Sequence, residues 1–373
     1  MGEVPQEDAP QGNASQGSPR DAKLPVIAVM GSCAPHRQGY ARRLAATYGM
    51  VLVSAGWLRS EPDGLDRALD LMSRVPGAAG CVVELPSETP VQRLIGELAS
   101  DEASTSLMDL VCVVDAAHLI SELCEEQHVQ VPPLAYADDD GPLYASAASL
   151  AVAAMEFAST IAVADGHLLD PDDLSAACAL LSHLSPLAEI RCADECFGSA
   201  AQGSHEALGD KGAAGRLIPR PPLSTEHTGA GWICVLNGAF EPAGTHPRVS
   251  VARYEQLRPF HPGRLADVIE NRLLAGEFGV CLRSVGFLQL ASRAEVTAQW
   301  EHIGKHHLLH PVTVEEEPLA FGQDIAFIGM DWDADALFAA LDEAALTDQE
   351  LLAGSRAWES LPDPFPEWSV SGA

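Results

Sequence analysis

Three clusters in this 373-residue chain carry side chains able to do chemistry. Cys192-Ala-Asp-Glu-Cys196 spaces two thiols as a zinc site spaces them, and His205 or Cys178 would complete the set. The cluster stands in a stretch without periodicity, so two unpaired reduced thiols are the plainer reading. His302, His306, His307 and His310 crowd a second segment. On a helix, His302, His306 and His310 would share a face, but Gly304 opposes a helix there. On a strand, His306 and His310 share one face and His307 points away, leaving two zinc ligands or a histidine-decorated surface. The third cluster is Arg258-Pro-Phe-His-Pro262, where Pro262 suits the first turn of a helix and Phe260 suits a core. Arg258, Phe260 and His261 are therefore read as structural or interdomain residues. No Ser/His/Asp arrangement, paired-carboxylate motif or His-Glu-x-x-His helix stands at recognisable spacing. Asp138-Asp-Asp140 reads as a solvated charge run.

The elements that must position these groups are legible in the apolar pattern. Leu24–Met30, Met50–Ser54, Ala79–Glu84, Asp109–Asp115 and Thr160–Ala164 are short apolar runs, separated by stretches with helical spacing such as 39–48. Strands buried on both faces and alternating with helices predict a mostly parallel α/β sheet over residues 23–190. Residues 1–22, rich in Gly, Gln, Ser, Pro and acidic groups, predict a disordered tail. Residues 191–231 predict a linker, because Gly, Pro, Ser and His interrupt them throughout. Over residues 232–368 a strand at 249–255, a helix at 262–274, a strand pair at 279–291 and a helix at 333–345 predict a small α+β domain.

Composition narrows the function classes. With 53 acidic against 22 basic residues the net charge is −31, which repels a phosphate backbone and argues against direct nucleic-acid binding. It suits either a basic protein partner or a surface kept soluble by its charge. Nine scattered cysteines and no signal-like start predict reduced thiols in the cytoplasm, and no apolar stretch is long enough to predict a membrane span.

From residue 249 onward the chain resembles the C-terminal domain of the CobW-like family, zinc-metallochaperone-type P-loop GTPases. The motifs that carry the resemblance are Arg258-Pro-Phe-His-Pro-Gly-Arg-Leu265, Arg283-Ser-Val-Gly-Phe287 with its continuation to Arg293, Trp300, Gln323 to Asp331, Leu346-Thr-Asp348 and Asp363-Pro-Phe-Pro366. Arg283 and Phe287 thereby join Arg258, Phe260 and His261 as interaction or structural positions. The resemblance implies a P-loop-like GTPase domain upstream, which can be checked letter by letter.

A phosphate-binding loop needs a glycine-rich turn, a lysine and a magnesium-binding hydroxyl. The corresponding residues are Gly31-Ser-Cys-Ala-Pro-His36-Arg37-Gln38, with His36 for the second glycine, Arg37 for the lysine and Gln38 for the hydroxyl. The family's Cys-x-Cys-Cys is absent, since no cysteine lies between Cys33 and Cys81. Glu-Thr-Thr-Gly has become Glu84-Leu-Pro-Ser87, and the guanine-reading Asn-Lys-x-Asp has no counterpart in Ile161-Ala-Val-Ala164-Asp-Gly-His167-Leu168. Gly31, Arg37, Gln38 and Asp115 are read as remnants of a nucleotide pocket, with Arg37 still able to pair with an anion and Asp115 expected to cap a helix after its strand. GTP is not expected, and zinc is the one cofactor left open. The losses resemble an actinobacterial branch of the family that recruits a hibernation factor to ribosomes under zinc limitation. The reading carried forward is a non-catalytic adaptor for a basic or ribosome-associated protein. A residual GTP-binding metallochaperone is the alternative.

Overall fold

The computed structural model of the protein describes residues 23–60, 64–75, 79–132, 143–193, 221–312 and 322–368. The proposed tail at 1–22, Asp138–Asp140, Cys196, His205 and most of the proposed linker lie outside the described residues.

Strand β1 (Leu24–Met30), helix α1 (Ala34–Tyr48), β2 (Val51–Val53), helices α2 (Ala55–Ser60) and α3 (Gly64–Ser73), β3 (Cys81–Glu84), α4 (Val91–Ala99) and β4 (Thr105–Asp115) open the chain. Then come α5 (Leu119–Leu123), the hairpin β5 (His128–Val131) and β6 (Leu143–Ser146), α6 (Ala147–Glu156), β7 (Thr160–Ala164), α7 (Pro171–Leu184) and β8 (Glu189–Cys192). Six of these strands form an all-parallel sheet in the order β2-β3-β1-β4-β7-β8. Every residue of β3 and β7 is buried, as expected of strands with helices on both faces. Helix α1 begins at Ala34, earlier than the sequence spacing suggests, because Pro35 sits in the first turn, where its missing N–H costs nothing. Gly49 ends that helix in the left-handed conformation at φ 62°.

Helix α8 (Gly231–Leu236) leads into the second unit: β9 (Val249–Gln256), α9 (Pro262–Asp267), a π-helical turn (Val268–Leu273), β10 (Val280–Gln289), β11 (Thr297–Ile303), β12 (His306–Pro311), β13 (Gln323–Met330), α10 (Ala334–Ala344), α11 (Asp348–Ala353) and α12 (Ser355–Trp358). Its five strands form an antiparallel sheet in the order β12-β11-β10-β13-β9. The strand pair anticipated at 279–291 is one long strand, β10, running through Gly286 without a turn. Gly286 pairs with Ile325 on β13, and a Cβ there would run into the backbone of Asp324 and Ile325. That glycine marks a close approach of strands, which in sequence reads like a break.

The two sheets share a core. Val249, Leu282, Ile303, Ile328 and Met330 of the second unit pack in the same buried cluster as Leu110, Met155, Leu180 and Leu184 of the first. A second core under α10, centred on Trp300, Phe260 and Phe327, belongs to the C-terminal unit alone. At the shared boundary the buried Arg283 guanidinium meets Glu156 at 2.8 and 3.2 Å and Glu301 at 3.1 Å.

Candidate functional site

The carboxyl ends of β1, β4 and β7 lie side by side where the sheet order reverses, the position at which open α/β sheets bind ligands. The β1–α1 turn crosses this edge. Gly31 has φ 140°, and a Cβ on it would strike the Val113 carbonyl oxygen of β4, so the turn is held close against the neighbouring strand. Cys33 is the N-cap of α1, but its side chain makes no capping hydrogen bond, which leaves Sγ unengaged in that role.

Arg37 does not reach the pocket. Its side chain is 1% exposed; Nη1 donates to the Gly31 carbonyl and Nε lies 3.5 Å from Glu84 Oε1. Burial pushes the guanidinium pKa down, and the Glu84 carboxylate opposes that shift. The arginine expected to pair with an anion is instead an internal strut between the turn and the end of β3. Gln38 is half-buried on α1.

The pocket itself is a cavity of about 340 Å³ lined by Ser32, Cys33, Asp115, His118, Glu122 and Glu125, with Ala147 and Ala151 behind. Three carboxylates and no Lys or Arg stand in that lining. His36 Nε2 lies 3.5 Å from Asp115 Oδ2 and 3.1 Å from Asp165 Oδ2. Asp165 reaches it because its backbone is left-handed, φ 53°. Asp115 is buried; its Oδ1 accepts from the Ala117 amide at 3.0 Å and its Oδ2 faces His118 Nδ1 at 2.9 Å. The expected helix cap is thus a turn-forming carboxylate, and His118 takes the N-cap position of α5. That contact raises the His118 pKa. Burial raises the Cys33 thiol, with Asp115, Glu122 and Asp165 adding to the shift, and burial likewise raises Glu122, which accepts from Ser32 Oγ at 2.6 Å.

These residues do not fit magnesium and GTP. An acid-lined cavity repels phosphate, the Arg37 guanidinium is spent inside, and His36 stands where the backbone would have to approach closely. They do fit a cation. Cys33, His36 and Asp115 each offer a ligand atom, all within 4.8 Å of one another, and no other group of three metal-ligating types gathers so closely among the described residues.

The metal residues anticipated from sequence are arranged differently. Cys192 is exposed at the end of β8 and close enough to Cys178 to help burial raise that thiol, but no third ligand joins them among the described residues. His306 and His310 do sit on a strand, yet Nε2 of His306 meets the Glu125 carbonyl at 2.8 Å and that of His310 meets Gln299 at 3.2 Å. His302 is buried on β11 and half-buried His307 edges onto Trp300, centroids 4.3 Å apart. Sequence reasoning missed Cys33 and His36 as partners. The signal was the Cys-x-x-His spacing immediately after β1, weighed only as a loss of glycine.

In the C-terminal unit, Arg258 Nη1 donates to the Leu346 carbonyl and Nη2 to Asp348 at 2.6 Å. Phe260 is fully buried, and its backbone bridges Leu290 and Ala345. His261 caps α9 by accepting from the Arg264 amide. Phe287 is half-buried on β10. Residues 249–345 match the family described as the cobalamin synthesis protein CobW C-terminal domain. The match falls within this unit and covers β9 through α10. Within it, Arg258, Phe260 and His261 knit β9, α9 and α10 together, while Arg283 faces the parallel-sheet unit.

Over 313 residues the chain is 24% identical to the zinc-regulated GTPase metalloprotein activator 1 of Dictyostelium discoideum, covering 77% of this chain and 62% of that relative's length. Together with the CobW domain this supports a place among CobW-like proteins. Among solved structures, the Zn(II)-bound YjiA GTPase from E. coli aligns at 14% identity with a TM-score of 0.30, over 87% of this chain and 99% of that one. A Zn(II)-bound triple mutant of YjiA gives the same TM-score at 13% identity and the same coverage. Among the described residues, no helix is long and apolar enough to cross a membrane.

Proposed function

We propose that this chain is a CobW-like protein tied to zinc homeostasis that works as a protein adaptor and does not turn over GTP. The observation that carries the reading is the fate of Arg37: the guanidinium that would face a nucleotide is buried on Gly31 and Glu84, behind a cavity lined with carboxylates. The zinc link comes from the relatedness to a zinc-regulated GTPase activator and from the CobW domain. With a net charge of −31, the partner is a basic protein, and a ribosome hibernation factor recruited under zinc limitation is the candidate the sequence resemblance supplies.

Calorimetric titration of the full chain with Mg·GTP tests this. We expect no saturable heat up to about millimolar nucleotide, a free energy no better than about −4 kcal/mol. Micromolar binding, or GTP hydrolysis by the purified chain, would overturn the adaptor reading in favour of a residual GTP-binding metallochaperone. A pull-down from zinc-starved cells is expected to enrich a ribosome hibernation factor; enrichment of metalloenzyme clients alone would count for the metallochaperone.

A further inference from the structure

We propose that the vacated phosphate loop is a transition-metal site, in which Cys33 Sγ, a His36 ring nitrogen and an Asp115 carboxylate oxygen bind a zinc-class divalent ion, with Asp165 as the fourth donor. The proposal rests on the reading that this pocket no longer takes nucleotide.

The donors arrive from three strands. Cys33 and His36 sit one helical turn apart where β1 enters α1, Asp115 ends β4, and Asp165 follows β7. The three principal ligand atoms lie within 4.8 Å of one another. Tetrahedral zinc holds S, N and O donors about 3.3–3.6 Å apart, so closing on an ion takes movements of about 1 Å in side chains at the rim of a cavity. One thiol, one imidazole and carboxylates suit zinc or cobalt; calcium and magnesium prefer oxygen alone.

The surroundings are those of a ligand set. The Ala117 amide and His118 both hold the Asp115 carboxylate, the outer hydrogen bonding that fixes a ligand's orientation. Glu122 and Asp165 make the site electronegative, and Arg37 is turned inward. Binding exchanges the thiol S–H for a sulfur–metal bond and releases that proton to solvent; the carboxylates and the neutral imidazole contribute lone pairs. The ion would tie the β1–α1 turn to the ends of β4 and β7, so that zinc supply reaches the parallel sheet itself.

The test uses the full chain, stripped of metal and reduced, titrated first with Co(II) and then with Zn(II). One equivalent of Co(II) should give a thiolate-to-metal charge-transfer band and the intense visible bands of tetrahedral cobalt, and zinc should displace both. Cys33→Ser should abolish the charge-transfer band, and Cys33→Ser and His36→Gln should each weaken zinc binding about 100-fold or more, beyond what removal of an outer-shell partner costs. Cys192→Ser and the double variant His306→Ala/His310→Ala should leave binding unchanged. Circular dichroism and melting of each variant establish that it is folded, and His36→Gln answers the question if Cys33→Ser does not fold. Absence of a thiolate band at one equivalent, its survival in folded Cys33→Ser, or its loss in Cys192→Ser would overturn the proposal. Mg·GTP calorimetry on the same protein separates the two readings: GTP binding strikes the adaptor reading, and missing metal strikes this one.

Discussion

Arg37 and His302 show how burial decides what an ionisable side chain is for. Arg37, which the family resemblance would set at a phosphate-binding lysine, uses its charge on a carbonyl and on Glu84, itself 2% exposed. His302 is 1% exposed, with Nε2 on the Gly304 carbonyl at 2.9 Å, and burial pushes its pKa down to about 4. The direction of its pH effect follows from that depression. Below about pH 6.5 the unfolded chain binds a proton that the folded chain refuses, so stability falls with acidification down to about pH 4 and levels off beneath it. The expected slope from this residue is about 1.4 kcal/mol per pH unit at most. Urea unfolding at pH 7 and pH 5 should show the loss in wild type and less of it in a folded His302→Gln variant; equal losses in the two would contradict the assignment.

At the scale of elements, the β1–α1 turn depends on Gly31. Its φ of 140° is poorly accessible to residues with a Cβ, and the added carbon would meet the Val113 carbonyl in the neighbouring strand. Gly31→Ala should therefore cost about 3 kcal/mol or more, read as a drop in the urea midpoint, because β1 and β4 would have to separate locally. A cost below about 1 kcal/mol would mean that the turn relaxes freely, and the site it holds would not be preorganised. This turn was half legible in the chain: the apolar run and the glycine located it, but Pro35 hid the true start of α1. The β10 strand was misread for a related reason, since Gly286 serves sheet packing and not a turn.

For the whole molecule the decisive contact is between its two sheets. Burial alone would lower the Arg283 pKa, but Glu156 and Glu301 outweigh it and hold the guanidinium charged. Removing Glu156 leaves that charge buried with one exposed-side partner, so Glu156→Ala should destabilise the chain by about 3–5 kcal/mol. Replacing both partners, Glu156→Leu with Arg283→Met, should cost less than the sum of the single changes. Calorimetry reads the consequence: wild type should melt in one transition because Leu282, Ile303 and Ile328 share a core with the parallel sheet. Two resolved transitions in wild type would show that the units do not unfold together.

What the sequence determined by itself were the period and the C-terminal domain match. Apolar runs of Leu24–Met30 and Thr160–Ala164 coincide with β1 and β7 because a strand buried on both faces leaves no polar alternation to misread. The motifs around Arg258 and Arg283 identified the C-terminal domain because they are contiguous in the chain. Only the tertiary structure decided where charges point and which distant residues meet. Cys33 and His36 are neighbours at the start of α1, but Asp115 and Asp165 lie far along the chain, and nothing local brings them to that pair. A parallel sheet does, by laying the carboxyl ends of β1, β4 and β7 along one edge, while the same folding turns Arg37 away from it.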